Sequence, residues 1–479
     1  MRNNLGRLGI FGDGVDRMLG DPKKAIISMA LIMAISLAAS RINIFVDTMW
    51  VSRLGVDATS AVFIVKPLYI MISCLGVGLG IGASTCISYH LGKGETEKAE
   101  RMATNTLAIG LVISLGVTVL LLVLEGPIIT FIGGEQVREE VNAYMFPLAL
   151  CASALVAVNI LTSLLKAEGA AWGVTISVMV GVAINAALDP LLIFQMDMGL
   201  AGAAWGTCIS SICTIVLIRY WYCTNKLHLH LGLLRRPTRG NLSEIMSVGI
   251  PRSFEEFMSG FILMFHRVIL IVVAGIAAVT IHQMAFLYLD LLMIIPDAIG
   301  SATLPVCSSA VGQNDEKRLR EGIRLSILLS LAASSVCALA IYIFAEPLLD
   351  PFMDSNIHFY YRTILFAARM YFVFLPLYVL TKLMSYLLQA IRRSREAAIG
   401  NFVLGLIKLA AFSIPLILGV HDFSVIVWSV MAGYVSAGLF MVMLTWYYYR
   451  KLDMGELVGR ISNRYGKGPS VPDADRGAS

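Results

Sequence analysis

The stretch WGVTISVMVGVAINAALDPLLIF, residues 172–194, decides the fold. It is continuously apolar over a length that crosses a bilayer, for which about 20 helical residues suffice. It lacks the alternation of a membrane strand, and a helix satisfies its own backbone in lipid. Yet the run contains Asn185, Asp189 one turn later, and then Pro190. A carboxylate at that depth is costly unless it is paired, solvated or protonated.

The same character recurs along the chain. Of 479 residues, 57% are hydrophobic and 14% charged, with mean hydropathy +0.77. That much apolar surface requires lipid as solvent for most of the chain. Twelve spans are read, at about 25–50, 62–89, 102–124, 144–165, 172–194, 200–222, 250–274, 281–310, 323–345, 366–390, 398–418 and 425–449. Lysine and arginine crowd the segments that are cytoplasmic if the N-terminus is inside. Only Arg53, Arg138 and Arg362 face outward, so both termini are expected in the cytoplasm. No removable signal peptide is read at the N-terminus. The net charge of +5 reflects this bias and implies no nucleic acid. The eight cysteines fall in or at the ends of spans without a CxxC pair, which suits free packing residues.

The basic loop 222–245 divides the chain in two. Shifted by 220 residues, LGIGASTCISYHLGKGETEKAERM (79–102) overlies IGSATLPVCSSAVGQNDEKRLREG (299–322), so that Gly80 meets Gly300 and Gly92 meets Gly312. A shift of 223 lays LLKAEG (164–169) over LLQAIR (387–392). Six spans per half give both halves one orientation, a parallel repeat. The expected fold is an all-α membrane protein with twelve transmembrane helices in two pseudo-symmetric six-helix lobes. The expected domains are a cytoplasmic segment (1–24), an N-lobe (25–223), an inter-lobe loop (224–245), a C-lobe (246–450) and a disordered cytoplasmic tail (451–479).

Asn185 and Asp189 share one helix face. In SRINIFVDTMWVSRLG (40–55), Asn43 and Asp47 repeat the spacing, and Thr207 adds a hydroxyl in span six. Two carboxylates in one pocket readily hold a proton. Their oxygens, with amide and hydroxyl oxygens, also suit a hard cation such as Na⁺. Pro190 frees the carbonyl of Ala186. Asp47 could instead pair with Arg53 near the interface. The second half lacks the acids: Asp47 overlies Arg267, Asn185 overlies Lys408 and Asp189 overlies Phe412. The expected cation site is therefore Asp47, Asn185, Asp189 and Thr207.

Further charges stand inside spans. Arg41, Lys66, Arg267, Asp290, Lys382 and Lys408, with Asn43, are candidate cavity residues; Glu255, Glu256, Asp297 and Arg369 accompany them, with Arg252 as partner for the two glutamates. GVGLGIG (76–82) is read as helix packing, since no strand precedes it and no Lys-Ser follows. The scattered histidines form no HExxH, and no nucleophile elbow is present, so an enzyme is not expected.

VDTMWVSRLG, LGKGETEKA, LDPLLIFQMDMGLAGAAWGT and VGQN, in this order over nearly the whole chain, resemble the multidrug and toxic compound extrusion (MATE) family of secondary transporters. The resemblance implies export of amphipathic, often cationic, organic compounds in exchange for Na⁺ or H⁺. It places the cation cluster at Asp47, Asn185, Asp189 and Thr207, with no other cofactor. Asn43 stands where a tyrosine is common, and span ten carries Lys382 and Arg369 where another branch has an acid. The extra cations keep a lipid-linked precursor flippase open as the alternative. A plasma-membrane location, a small-molecule substrate, lipid contacts and a monomer are expected.

Overall fold

The computed structural model describes residues 14–131, 137–224, 227–231, 239–274, 282, 285, 293–349, 361–420, 423–455 and 457. The helices are α1 (Gly14–Leu19), α2 (Pro22–Ser52), α3 (Val56–Gly92), α4 (Thr96–Val123), α5 (Glu125–Phe131), α6 (Arg138–Leu150), α7 (Ala152–Ala167), α8 (Ala171–Pro190), α9 (Gly199–Cys223), α10 (Arg239–Ala274), α11 (Ile294–Gly312), α12 (Glu316–Leu349), α13 (Tyr361–Val373), α14 (Leu375–Ala390), α15 (Ser394–Phe412), α16 (Ile414–Leu418) and α17 (Phe423–Arg450). Among the described residues nine helices are long and apolar enough to cross a membrane. Two bent pairs, Arg138–Leu150 with Ala152–Ala167 (53°) and Arg362–Val373 with Leu375–Ala390 (49°), raise this to eleven. With α10 in the place of span seven, the helices follow the twelve-span order. Asp290, the start of span eight and most of the polar tail lie outside the described residues.

The duplication is visible in the backbone. After α3, Gly94 has φ 78° and the Glu95 amide donates to the His90 carbonyl at 2.8 Å; after α11, Asn314 has φ 56° and Asp315 donates to Ala310 at 3.1 Å. After α7, Gly169 has φ 71° and Ala170 donates to Leu165 at 2.9 Å; after α14, Arg392 has φ 59° and Arg393 donates to Leu388 at 2.8 Å. The first pair of turns is related by the shift of 220, the second by 223. Left-handed backbone favours glycine, so the arginine in the fourth turn stands out.

The lobes meet at the end of the bundle where α3 and α11 finish. A Cβ added at Gly92 would collide with the Ser309 carbonyl, and one at Gly312 with the Tyr89 carbonyl. These contacts are each other's counterparts under the shift of 220, as a two-fold interface requires. GVGLGIG sits at the same junction. Gly76 faces Val156 of α7, where an added Cβ would lie 2.9 Å from the carbonyl oxygen; Gly80 faces Ser163 of the same helix. Gly78 and Gly82 face α10, where added Cβ atoms would lie 2.7 Å from the carbonyl oxygens of Gly249 and Ile245. One helix thus abuts its own lobe on one face and the other lobe on the next, as the packing reading expects.

The apolar core follows the same division. One cluster joins Ala83 and Ile87 of the first lobe to Val248 and Ala310 of the second. A second stays within the first lobe, around Val51, Val65, Met145 and Ala204. A third stays within the second lobe, around Leu270, Tyr371, Phe372 and Val427. Packing is shared at one end and separate at the other. None of the eight cysteines is in a disulfide.

Candidate functional site

The first-lobe polar residues form one chain of hydrogen bonds between α2 and α8. Asn43 Nδ2 donates to Asn185 Oδ1 at 2.6 Å and to Asp47 Oδ2 at 3.2 Å; Asn185 Nδ2 donates to Asp189 Oδ1 at 3.0 Å. Asn185 and Asp189 are buried, Asn43 and Asp47 half-buried. The carboxyls of Asp47 and Asp189 lie within electrostatic reach of each other, and the phenol of Tyr144 within reach of both. Two acceptors, Asn43 Oδ1 and Asp47 Oδ1, are buried with no hydrogen-bond donor. Among the described residues no lysine or arginine pairs with either aspartate; Arg53 instead stacks over the Trp50 ring at 4.7 Å. An arrangement of oxygens with two carboxyls and no fixed counter-charge suits a proton or a hard cation.

The local backbone makes room for it. Pro190 cannot donate, and the chain leaves α8 through a π-helical turn, Leu191–Gln195, that closes with Met196 N–H to Leu191 O at 2.9 Å. Gly202 and Gly206 of α9, four apart on one face, receive this bend. A Cβ at Gly202 would lie 2.7 Å from the Leu192 carbonyl carbon, and one at Gly206 would lie 3.3 Å from Asn185 Nδ2 and crowd Asp189 Oδ1. The glycines of GLAGAAWGT therefore seat the helix against Asp189. Thr207 does not join the chain: its hydroxyl donates to Ala203 O of its own helix at 3.2 Å.

The second-lobe charges are arranged differently. Buried Arg252 donates to Glu255 Oε1 at 2.7 Å and also to Glu256. Glu255 further accepts from Ser385 Oγ at 2.6 Å and Gln389 Nε2 at 3.1 Å. Lys382 lies in the field of Glu256 and Asp297, and Arg41 approaches Asp297 to 3.9 Å across the lobes. Lys408 is buried with Nζ 4.2 Å above the Tyr434 ring and 5.4 Å from that of Tyr378. Arg369 pairs with Glu346 at 2.9 Å. The side chains of Lys66 and Arg267 lie outside the described residues, as does Asp290.

Reading the sequence missed a network at the joined end. Glu244 of α10, 1% exposed, lies 3.1 Å from His90 Nε2 of α3 and 2.9 Å from Arg392 Nη2. His90 Nδ1 in turn lies 2.8 Å from Glu95. Arg392 also reaches Cys86 Sγ at 2.8 Å and stacks over Tyr89 at 5.0 Å. The left-handed turn at Arg392 is what carries its guanidinium across the junction.

The MatE family model matches residues 27–191 and 251–414, one segment in each half. The multidrug export protein MepA of Staphylococcus aureus is 29% identical over 205 residues, 42% of this chain and 45% of its own length. The chain thus spans about half the length of that relative. The FAD transporter of Shewanella oneidensis is 23% identical over 314 residues, 64% of this chain and 69% of its own length. Among solved structures, an outward-facing multidrug resistance MATE family transporter of the MOP superfamily superimposes with a TM-score of 0.86 at 24% identity, covering 93% of this chain and 98% of that one. A Pyrococcus furiosus MOP superfamily transporter described as having a binding pocket of reverse polarity gives 0.85 with the same identity and coverage. With most of both halves matched, the chain belongs to the MatE family and is a multi-pass, twelve-helix membrane protein.

Proposed function

We propose that the chain is a secondary active antiporter that exports amphipathic organic compounds in exchange for Na⁺ or H⁺, without chemical change of its cargo. The observation that carries the reading is the Asp47–Asn43–Asn185–Asp189 chain, which has two carboxyls, two orphaned buried acceptors and no cationic partner among the described residues. A site of this kind prefers one lobe arrangement over another when its occupant changes, and a cation drives transport only through such unequal affinity. The transporters MepA and the FAD transporter support the cargo being a small molecule.

On this reading the joined end faces the cytoplasm together with both termini, which the bias of the basic segments supports, and the chain works as a monomer in the plasma membrane. Glu244, His90 and Arg392 then close the inner side, and the carboxylates serve the outer half. Entry of the cation displaces cargo outward; the junction must part for its release inside.

The test is efflux of a fluorescent amphipathic compound from proteoliposomes, with a Na⁺ gradient and a pH gradient imposed separately. Asp189→Asn is expected to abolish gradient-driven efflux while folding normally, and the gradient that works for wild type names the ion. Coupled efflux by Asp189→Asn at the wild-type rate overturns the reading.

A further inference from the structure

Between the lobes, beside the joined end, lies a cavity of about 110 Å³ to which α3, α7, α11 and α14 each contribute. Lys166 is the single charged residue of its lining, and no carboxylate lines it. Lys166 forms no ion pair among the described residues, although Asp297 is within electrostatic reach. The neighbouring charges are otherwise matched inside the protein: Arg252 holds Glu255 and Glu256, Arg41 approaches Asp297, and Lys382 lies in the field of Glu256 and Asp297.

The polar lining is rich in donors. Ser84, 2% exposed, has a buried hydroxyl with no partner. Ser301 and Tyr386 also line the cavity, adding two further hydroxyl groups. By contrast the hydroxyls of Thr162 and Ser163 are spent on α7 carbonyls, at 2.8 Å each. An ammonium and three O–H groups from four helices, with no acid among them, complement an anion. A buried hydroxyl left unpaired is costly, so its donor-rich surroundings point to an absent acceptor.

We propose that this cavity is an oxyanion subsite, in which Lys166, Ser84, Ser301 and Tyr386 hold the carboxylate or phosphate group of an amphipathic cargo. The volume is well below the roughly 300–1,000 Å³ of pockets that enclose a drug-sized molecule. It admits a head group, and the body of the cargo extends into the inter-lobe space. The word cargo rests on the antiporter reading; the oxyanion preference does not, because it is read as binding at equilibrium.

The experiment uses the full chain in phosphatidylcholine nanodiscs and a matched probe set: one fluorescent aromatic alkyl chain ending in a phosphate monoester, a carboxylate or an alcohol. The acidic probes are expected to bind wild type about tenfold or more tightly than the alcohol, the scale of a charge-assisted hydrogen bond. Lys166→Met and Ser84→Ala each narrow the gap, and Lys166→Arg retains most of it. Inorganic phosphate alone competes only at high concentration, as a head group without its body. Equal binding of alcohol and acid by wild type, or a gap untouched in well-folded Lys166→Met, overturns the proposal. Loss of acidic-probe binding when phosphatidylglycerol is added assigns the site to a lipid head group and also overturns it. Equal probe binding with Asp189→Asn uncoupled is failure of the subsite alone; an intact preference with Asp189→Asn still coupled is failure of the antiporter reading alone.

Discussion

Residues 185 and 189 of α8 and residues 408 and 412 of α15 occupy corresponding places in the two repeats, and they solve opposite problems. In the first lobe Asn185 and Asp189 assemble carboxyl and amide oxygens with no fixed cation among the described residues. In the second, Lys408 is caged over Tyr434 and Phe412 packs in the core. The second-lobe acids Glu255 and Glu256 carry their counter-charge with them, in Arg252. A carboxylate with a built-in cation has no need of a mobile one; a carboxylate without one does. The duplicated scaffold thus supplies two corresponding helices, and under the proposed antiport counter-charge distinguishes the one that responds to an ion gradient.

The largest effect is expected from making the first lobe resemble the second. Asn185→Lys places an ammonium beside Asp189, and gradient-driven efflux in proteoliposomes should fall to background while size-exclusion profiles stay normal. Retained coupling would break the comparison. Next, Arg252→Met removes the cation from the second-lobe acids and leaves the buried Glu255 without it. Stability should drop by about 3–5 kcal/mol, visible as a lower melting temperature. An unchanged melting temperature would show that those acids do not depend on Arg252.

A third carboxylate sharpens the contrast outside the membrane. Glu168, in the turn after α7, accepts from Tyr222 Oη at 2.7 Å and from the amides of His228 and Leu229 at 2.9 and 3.2 Å, with no cationic partner among the described residues. Burial pushes its carboxyl up to about 7, against the pull of those donors. The folded state therefore holds the proton more tightly than the unfolded state. Its contribution is intact below the ordinary value near 4.5 and declines as pH rises to about 7, by up to roughly 3 kcal/mol. Melting temperatures across this window should fall for wild type and flatten for Glu168→Gln; equal slopes would exclude Glu168 as the source. The smallest effect is expected at Thr207. Its hydroxyl serves its own helix, so Thr207→Val should leave coupled efflux within about twofold of wild type. A large loss would bring Thr207 back into the cluster.

Much of this was legible in residue order because it depends on spacing. Continuous apolar runs announce helices in lipid, and the Asn-x-x-x-Asp pattern puts both members on one face. The matched glycines Gly92 and Gly312 reveal the repeat because each admits backbone of the other lobe where a Cβ would collide. What escaped notice depends on distant segments meeting. His90, Glu244 and Arg392 are separated by more than a hundred residues, and each reads alone as an interfacial charge. Lys166 stands one residue from the end of its helix, in KAEG, where a lysine ordinarily reaches for water. Only the approach of α3, α11 and α14 turns it inward. Thr207 shows the converse: a hydroxyl at the right depth that faces its own backbone.

Arg392 carries a cost that its twin Gly169 does not. A left-handed non-glycine residue is disfavoured by about 1–2 kcal/mol, and at φ 59° Arg392 bears it while its guanidinium spans the junction. The turn is closed by its own backbone, with Arg392 donating to Gln389 and Arg393 to Leu388, so the cost stays local to it. What offsets that cost is reach: from this turn one guanidinium meets Cys86 and Tyr89 of the other lobe.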